Sequence, residues 1–465
     1  MKITGQVLKT MNYHPGNWWG DVIKAAGETG FDGEDAARSF IARFAPSPAI
    51  PLQVAGAVRF YSNIKACNEL EAGNIEAVKA HMNELMRVPT VRAGAVMPDA
   101  CPSDKRLGYI PVGGVVATEN AIHPGMHSAD ICCSMAVSVF EHADPTAILD
   151  AGMHISHFGG GGRPRGQQWT PPADIIAAFE KNPFLSALMS DAQEHFGTQG
   201  DGNHFFYVGR LASTGQVALV THHGSRKPGA MLYKAGMKVA ERTRLLLSPE
   251  TADFNAWIVA DSREGQDYWD ALQIIRDWTK ASHFAIHDAV ASHLQLRVED
   301  RFWNEHNFVF QKPDGLFYHA KGATPAFPGW AEDASGLTLI PLNMAEPILI
   351  TRGLNAPRGL GFSPHGAGRN LSRTAHMLGH GDRLEAEIVA AETQGLDARF
   401  YCGFPDTSEL PSAYKNAASV RAQIVKFGLA EVVDIVEPVG CIMAGDWQRN
   451  APWRKPKVKK ELIGE

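Results

Sequence analysis

The stretch Gly197-Thr198-Gln199-Gly200-Asp201-Gly202-Asn203-His204-Phe205-Phe206-Tyr207-Val208 joins a polar, glycine-rich segment to an apolar run of strand character. Similar short runs at residues 136–140 and 217–220 are bounded by polar or glycine-rich turns, as strands usually are. Longer stretches of helical character lie near residues 231–246 and 266–297. This alternation predicts a mixed α/β fold.

The 465 residues show no internal repeat and no convincing linker. We predict a variable N-terminal extension at residues 1–50 and one large α/β domain at residues 51–446. Within that domain, a last helix is expected near residues 412–426, followed by a strand-like segment at residues 432–436. Residues 447–465 form a basic C-terminal tail. Its region holds the cationic residues Arg449, Arg454, Lys455, Lys457, Lys459 and Lys460.

The overall composition excludes several classes of protein. Hydrophobic residues make up 45% of the chain and no low-complexity tract occurs, which excludes a disordered protein, a coiled coil and a collagen-like repeat. The net charge of −6 is unlike that of proteins that coat nucleic acid nonspecifically, so a nucleic-acid contact must be a local patch. We find no apolar run long enough to span a membrane and no signal peptide, and expect a cytoplasmic protein. Six cysteines are too few for a disulfide scaffold.

Histidines, glycines and one Asp/Cys pair cluster at the ends of apolar runs. Asp130 and Cys133 are three residues apart, so a single turn can direct both at one ion. Because several such segments occur, we predict that they converge on one site. Asp, Cys and His ligands suit Mn, Zn or Fe better than Ca or Mg, while glycine N–H groups and arginines suit a phosphate. The segments are residues 128–135, 197–204, 221–226, 305–309 and 365–373.

In combination, these motifs resemble those of the RtcB-type RNA ligases, from about Val58 to Gly445. The combination is specific and indicates a divergent member of that family. The matching motifs are Asp130-x-x-Cys133, Gly197-Thr-x-Gly-x-Gly-Asn203-His204, His222-x-Gly-Ser-Arg226, His306-Asn307, Lys321-Gly-Ala, His365-Gly-Ala-Gly-Arg369-x-x-Ser-Arg373 and Ala413-Tyr414-Lys415.

The resemblance implies a fold and a reaction. The fold is an RtcB-like α/β domain with a central metal-containing cleft. The reaction joins RNA 3′-phosphate or 2′,3′-cyclic phosphate ends to 5′-hydroxyl ends, with GTP and two Mn²⁺ ions, in RNA repair, RNA processing or tRNA splicing. His365 would attack the nucleotide α-phosphate and then pass the guanylate to an RNA 3′-phosphate. Phosphoryl transfer depends chiefly on positioning and charge neutralisation, which suits this set of residues.

The resemblance also assigns residues to roles, with His365 as the catalytic residue. The implied metal ligands are Asp130, Cys133, His204, His222 and His306, with the Cys133 sulfur bridging the two ions. The implied nucleotide-binding residues are Asn203, His306, Asn307, Lys321, Asn343, His365, Gly366, Ala367, Gly368, Arg369 and Tyr414. The residues implied to contact phosphate or RNA are Arg226, Arg373 and Asp99.

The sequence departs from the family pattern at three places. Upstream of the metal pair, Asp99 is kept, but Cys101 stands where the family has a histidine and the following Gly-Lys pattern is blurred. Tyr207 replaces a glutamate after the Asn-His motif, and Met443 replaces a lysine near the end. In the family those two residues read the guanine edge, and neither replacement can do so. We therefore expect a relaxed or changed base preference.

Other interpretations stay open. Lys312-Pro313-Asp314-Gly315 matches the Lys-x-Asp-Gly of ligases with a lysine nucleophile, although Pro-Asp-Gly is also a good turn between two strands. The alternative function is a metal-dependent phosphoesterase or nucleotidyltransferase that acts on RNA ends. A third interpretation is an inert protein that binds RNA ends.

Overall fold

The computed structural model describes residues 1–13, 15–45 and 49–450. The chain divides into two compact units. The first comprises Met1–Pro51 and Leu245–Pro249, and the second comprises Leu52–Arg244 and the residues from Glu250 onward. The tail residues beyond 450 lie outside the described residues. Within the described ranges, no helix is both long and apolar enough to cross a membrane.

The first unit contains three short helices, α1 (Gly5–Thr10), α2 (Trp18–Ala26) and α3 (Gly33–Ile41). The Thr4 side chain caps α1 by accepting from the backbone N–H of Val7, which satisfies one free donor of the first turn. Leu8, Val22 and Ile41 are fully buried against one another. The unit therefore has a small apolar core of its own.

The second unit combines β-strands with helices. Its strands in chain order are β1 (Phe60–Ser62), β2 (Val91–Cys101), β3 (Val112–Thr118), β4 (Ala121–Ile122), β5 (Ser134–Phe140), β6 (Phe205–Leu211), β7 (Val217–His223), β8 (Ile258–Val259), β9 (Val298–Glu305), β10 (Asn307–Gln311), β11 (Phe317–Lys321), β12 (Ala323–Pro325), β13 (Leu337–Ile340), β14 (Ile348–Gly353), β15 (Phe362–Pro364), β16 (Asp397–Phe400) and β17 (Ala430–Met443).

Helices lie between these strands. They are α4 (Glu69–Leu85), α5 (Pro124–His127), α6 (Pro145–Ile155), α7 (Ala173–Lys181), α8 (Met189–His195), α9 (Arg226–Leu247), α10 (Arg263–Leu294), α11 (Arg373–Gly379), α12 (Glu385–Glu392) and α13 (Ala417–Lys426). The predicted mixed α/β class is confirmed. One boundary was wrong: the last helix begins at Ala417, not near residue 412, because the Asn416 side chain caps it by accepting from Ser419 N–H.

Two larger sheets dominate the second unit. One has the strand order β1-β2-β3-β11-β10, and the other has the order β13-β14-β17-β6-β7-β5-β9 with β16 paired to β17. Most pairs are antiparallel, while β1/β2 and β16/β17 are parallel. The pairs β12/β15 and β4/β8 form two small separate ladders.

The antiparallel order brings several strand ends together at one edge of the larger sheet. Ser134 at the start of β5 pairs with His223 at the end of β7 and with Glu305 at the end of β9. Phe205 at the start of β6 pairs with His222. Residues just before β5 and β6 therefore lie beside the last residues of β7 and β9, and this edge carries the candidate site.

Helix α10 supports this edge from beneath. Its Trp278 and Ile275 are fully buried, and each such side chain contributes roughly 1.5–3 kcal/mol on burial. His283 bonds the hydroxyls of Ser134 and Thr221 at 3.1 and 2.7 Å, so a polar network joins the helix to β5 and β7. The strand ends are thus held at fixed positions.

Candidate active site

A tight turn directs Asp130 and Cys133 to the same side, as their spacing predicts. The Cys133 N–H donates to the Asp130 carbonyl at 3.3 Å, and Cys132 between them has φ of +56°. A left-handed backbone at a residue other than glycine costs about 1 kcal/mol or more and is often found at functional sites. The Cys132 N–H donates to the Asn307 carbonyl at 2.7 Å, which fixes the turn against β10.

Asp130, Cys133 and His204 form a first group of potential metal ligands. The Nε2 atom of His204 lies 3.3 Å from Oδ2 of Asp130 and 3.4 Å from Sγ of Cys133. Cys133 and His204 are buried, while the Asp130 side chain is partly open. One nitrogen, one oxygen and one sulfur therefore converge.

Cys133, His222 and His306 form a second group that shares the same thiol. Sγ of Cys133 lies 3.2 Å from Nε2 of His222, which is itself 3.2 Å from Nε2 of His306. All three side chains are buried. The five ligands implied by the family resemblance thus meet in two groups joined at Cys133.

Backbone carbonyls fix the tautomers of two of these histidines. Nδ1 of His204 lies 2.7 Å from the Gln199 carbonyl oxygen, and Nδ1 of His222 lies 3.0 Å from that of Asn203. A carbonyl only accepts, so the proton sits on Nδ1 and the Nε2 lone pair faces the cluster. Converging Nε2 lone pairs beside a carboxylate and a thiol form a donor set that fits a cation.

The separations between donors also match a metal centre. Bonds of about 2.0–2.3 Å to N, O and S in tetrahedral geometry place neighbouring ligand atoms about 3.3–3.8 Å apart. The observed separations of 3.2–3.4 Å are close to that range. A mixed O, N and S set suits a borderline divalent ion such as Mn or Zn.

The ionisation of His222 and Asp130 suits metal binding at neutral pH, whereas burial raises the pKa of the Cys133 thiol, which must lose its proton when a metal binds. Burial and the neighbouring His204 ring lower the pKa of His222 to about 3, so its imidazole stays neutral. Burial is the largest influence on Asp130 and opposes its ionisation, but its hydrogen-bonding and charged neighbours together outweigh burial and lower its pKa to about 2. Neutral imidazoles and an ionised carboxylate are the forms that bind metals.

His365 lies beside the second group and is held by a carboxylate. The ring centroids of His365 and His306 are 4.8 Å apart, and Nδ1 of His365 is 2.7 Å from Oδ2 of Asp99. Asp99 is fully buried and is not among the described residues that line the cavity. The Asp99 carboxylate therefore orients His365, and the expected contact of Asp99 with phosphate or RNA stays a prediction.

Glycines let the backbone pass close to this pair. Gly322 has φ of +65°, and a β-carbon there would lie 2.9 Å from Cε1 of His365. A β-carbon on Gly368, at φ of +72°, would collide with the Asp99 carbonyl oxygen. Both conformations favour glycine, so a side chain at either position would displace His365 or Asp99.

A cavity of about 540 Å³ opens in front of His365. This volume is in the range of small-molecule sites. Of the residues implied to bind nucleotide, His306 belongs to the second ligand group, and the others line the cavity. Those lining residues are Asn203, Asn307, Lys321, Asn343, His365, Gly366, Ala367, Gly368, Arg369 and Tyr414.

One wall of the cavity carries two arginines on a buried carboxylate. Glu409, only 2% exposed, accepts from Arg373 Nε at 2.5 Å, from Arg369 at 3.2 Å and from the Tyr414 hydroxyl at 2.5 Å. Glu409 could not be predicted from the sequence, since its arginine partners lie 36 and 40 residues away and no motif spacing signals them. Lys415, which follows Tyr414 in the Ala-Tyr-Lys motif, is buried and donates to the Ala100 carbonyl at 2.8 Å.

Arg226 lies on the other side of the cluster and is not among the described cavity-lining residues. It has φ of +53°, and its guanidinium donates to the Gly159 carbonyl at 2.9 Å while covering Gly200. The predicted phosphate-binding arginines therefore occupy two places, with Arg373 at the cavity and Arg226 near Asp130.

The three departures from the family pattern all lie at the cavity. Cys101 lines it, and burial raises the pKa of its thiol, so the group is neutral. Tyr207 and Met443 line it as well. The Tyr207 hydroxyl donates to the Val436 carbonyl at 3.0 Å, which directs it away from the cavity and into the sheet.

Lys312 has a structural setting. Its ammonium lies 4.3 Å from the Phe327 ring centroid and 4.6 Å from that of Tyr318, and it donates to the Leu360 carbonyl at 2.5 Å. Burial lowers its pKa to about 8. Pro313 to Gly315 form the turn between β10 and β11, and Lys312 is absent from the described lining of the cavity.

Comparison with known proteins agrees with this geometry. The family model described as tRNA-splicing ligase RtcB matches residues 165–444, which is more than half of the chain. The chain therefore belongs to the RtcB family.

Several curated relatives are also similar. The tRNA-splicing ligase RtcB of Thermococcus kodakarensis is 28% identical over 284 residues, covering 52% of this chain but only 58% of the relative. The tRNA-splicing ligase RtcB of Aeropyrum pernix is 26% identical and covers 74% of this chain and 86% of the relative. The RNA-splicing ligase RtcB of Escherichia coli K12 is 26% identical and covers 75% and 89%.

Proposed function

We propose that this protein is an RNA ligase that joins 3′-phosphate or 2′,3′-cyclic phosphate ends to 5′-hydroxyl ends through a nucleotidyl-histidine intermediate. The observation that carries the proposal is the position of His365. Its Nδ1 is hydrogen-bonded to Asp99 at 2.7 Å, and its ring centroid lies 4.8 Å from that of His306 in the second ligand group. It also lines a cavity of nucleotide size. The named activity of the relatives supports the same reaction.

In the first step, His365 acts as the nucleophile. Its Nδ1 proton is donated to the Asp99 carboxylate, so Nε2 carries the lone pair. Nε2 attacks the α-phosphorus of a nucleoside triphosphate such as GTP, an N–P bond forms, and pyrophosphate leaves with the electrons of the broken P–O bond. The imidazolium that results is stabilised by the charge of Asp99.

RNA ends react in the next two steps. A 2′,3′-cyclic phosphate end is first opened by water, which adds to phosphorus while the bond to the 2′-oxygen breaks and leaves a 2′-hydroxyl and a 3′-phosphate. An oxygen of the RNA 3′-phosphate then attacks the phosphorus held by His365, the N–P bond breaks, and its electron pair returns to Nε2 of His365. The 5′-hydroxyl oxygen of the second end then attacks the activated 3′-phosphorus. The nucleoside monophosphate leaves, the hydroxyl proton is lost to the surrounding solvent, and a phosphodiester is formed. Arg369 and Arg373 line the cavity where the transferring phosphates would be held.

A pair of divalent ions, which we propose to be Mn²⁺, fits the two groups described above. Asp130, Cys133 and His204 would hold one, and Cys133, His222 and His306 would hold the other. When bound, such ions neutralise charge on phosphate oxygens and help to orient them.

The proposal is tested by incubating the purified protein with MnCl₂ and [α-³²P]GTP. We expect a radioactive adduct that is labile in acid, stable in base and mapped to His365 by mass spectrometry. His365→Ala should abolish the adduct and also the joining of an RNA with a 2′,3′-cyclic phosphate to an RNA with a 5′-hydroxyl. An adduct that persists in His365→Ala would overturn the proposal.

A metal-dependent phosphoesterase that acts on RNA ends is a second candidate. It is favoured by the apolar character of the residues at the Tyr207 and Met443 positions, which offer little to a guanine edge. Opening of a 2′,3′-cyclic phosphate at full rate without nucleotide, combined with no joining in its presence, would support this candidate over the ligase.

A further inference from the structure

One wall of the cavity is an apolar patch formed by two neighbouring strands. Cys441 pairs with Tyr207 and Met443 pairs with Phe205 in the antiparallel β17/β6 ladder. Paired residues of adjacent strands lie side by side on the same face, so these four side chains form one continuous surface. All four line the cavity, as do Met344 and Ile348 from the neighbouring part of the chain.

None of these six side chains presents an unpaired strong hydrogen-bonding group to the cavity. The Tyr207 hydroxyl is 3.0 Å from the Val436 carbonyl and 3.3 Å from the Glu346 carbonyl, both of which accept from it. Burial raises the pKa of the Cys441 thiol, which stays neutral and donates only weakly. This surface, which we call the apolar wall, can therefore contact a planar ring but cannot read its edge.

The cationic residues described at the cavity come from other segments of the chain than β6 and β17. Arg369 and Arg373 lie together on Glu409, and His365 lies beside the metal-ligand groups. A bound nucleotide must place its α-phosphate at His365 and its charged oxygens near cations. Its base, which is the large apolar part, is then left for the apolar wall.

Asn343 is a polar residue that also lines the cavity. Its Oδ1 accepts from the Ala345 N–H at 2.9 Å, which leaves one oxygen lone pair and the amide N–H groups for a ligand. Every nucleobase carries both donors and acceptors on its edge, so a single amide discriminates poorly among the four bases. Selective recognition needs a donor and an acceptor set in a fixed pattern.

We propose that this cavity holds the nucleobase by apolar contact and accepts all four ribonucleoside triphosphates as nucleotidyl donors. This inference rests on the proposed function, in which His365 is the nucleophile. It narrows that function by making the donor class any ribonucleoside triphosphate instead of GTP alone.

The test is covalent labelling with each of the four α-³²P-labelled triphosphates at equal concentration in MnCl₂. We expect initial labelling rates within about fivefold of one another, because apolar contact supplies no hydrogen-bond pattern that separates the four bases. Labelling by GTP more than 100-fold faster than by the other three would overturn this inference and leave the proposed function intact. Labelling by none of them would overturn the proposed function and this inference with it.

A binding measurement makes the test independent of turnover. Equilibrium dialysis of His365→Ala with labelled GTP and labelled ATP in MnCl₂ should give dissociation constants within about fivefold. A difference of 100-fold or more in favour of GTP would contradict the inference.

Substitution at the wall gives a second, directional outcome. Met443→Lys places a donor beside the base, and guanine O6 and uracil O4 are acceptors where adenine and cytosine carry amino groups. We expect labelling by GTP and UTP to exceed labelling by ATP and CTP at least fivefold in this variant. Tyr207→Phe is the control. Because the Tyr207 hydroxyl does not read the base, the labelling rates for the four nucleotides should stay within about fivefold of one another in this variant. A profile that changes in Tyr207→Phe would show that the hydroxyl reads the base, contrary to the inference.

Discussion

The Asp99 carboxylate lies 2.7 Å from Nδ1 of His365, and Asp99 is completely buried behind it. An ionised carboxylate only accepts, so this contact places the proton on Nδ1 and leaves the Nε2 lone pair for attack. The relationship also supplies a negative charge next to the imidazolium that forms when phosphorus is bound. Asp99 is thus a positioning residue for His365.

Replacing this carboxylate by an amide should slow nucleotidyl transfer. In Asp99→Asn the charge is lost, and we expect adduct formation to fall by on the order of 100-fold. Metal content should be unchanged, since Asp99 belongs to neither ligand group. The matched control is Asp314→Asn, whose carboxylate bonds Tyr318 at the β10/β11 turn outside the cavity lining. A full labelling rate in Asp99→Asn would contradict the positioning role.

The shared thiol predicts an unequal loss of metal. Cys133 belongs to both ligand groups, whereas Asp130 and His306 belong to one each. We expect Cys133→Ala to lose about two bound Mn²⁺ ions per chain, and Asp130→Ala and His306→Ala to lose about one each. Metal content after equilibrium dialysis, measured by inductively coupled plasma mass spectrometry, checks this. If the two ions instead occupied sites that do not share Cys133, Cys133→Ala would keep one ion.

The carboxylate beneath the arginine wall predicts an effect on binding. Glu409 holds Arg369, Arg373 and Tyr414 together, and hydrogen bonds to charged groups are worth about 1.5–3 kcal/mol each. Glu409→Gln should weaken binding of Mn-GTP in the His365→Ala background by roughly fivefold or more, because the two guanidiniums lose their common anchor.

The control for Glu409→Gln is Glu392→Gln, a glutamate that accepts from Ser412 at 2.8 Å. In the same His365→Ala background, Glu392→Gln should bind Mn-GTP as tightly as His365→Ala alone does. Equal dissociation constants for Glu409→Gln and Glu392→Gln would show that Glu409 is merely structural.

The sequence predicted the mixed fold and the strands that carry the ligands because these depend on local patterns. The apolar runs at residues 136–140, 205–208 and 217–220 all form strands. The convergence of the histidine segments could also be predicted. Polar residues beside glycines recur at the ends of several strands, and a shared site explains this recurrence better than separate structural roles. Their grouping into two sets joined at Cys133 depends on strand order, which periodicity does not reveal.

Long-range polar contacts were beyond the sequence. Asp99 is 266 residues from His365, and nothing near it signals that its carboxylate faces an imidazole ring. Glu409 was missed for the same reason. The direction of the Tyr207 hydroxyl follows from its packing against β17, so only coordinates could provide it.

The alternative nucleophile, Lys312, gives a prediction in which stability falls and activity does not change. Lys312 lies among the rings of Phe327, Tyr318 and Phe362, where cation–π contact and stem packing contribute roughly 1–2 kcal/mol. Lys312→Ala should therefore lower the free energy of unfolding by about that amount while nucleotide labelling continues at the unmodified rate. Loss of the adduct from folded Lys312→Ala would instead favour a lysine nucleophile.

Buried neutral histidines predict a loss of stability in acid. Burial lowers the pKa of His123 to about 3, of His127 to about 4 and of His287 to about 3. In the unfolded chain a histidine titrates near 6.5, so below that pH the unfolded state takes up protons that the folded state does not. The stability contributed by these neutral rings is complete above pH 6.5 and is lost progressively as the pH falls toward 3.

His287 allows this linkage to be tested away from the metal ligands. Its two nitrogens bond the hydroxyls of Ser138 and Thr221 at 2.8 Å each, so the ring is fixed and neutral. Urea unfolding of metal-free protein should show the free energy of unfolding falling between pH 6.5 and 4.5. His287→Gln should be less stable at pH 7.5 but should lose less on acidification, because one proton fewer is taken up on unfolding. An equal slope in both proteins would mean that His287 is protonated in the folded state, contrary to its buried setting.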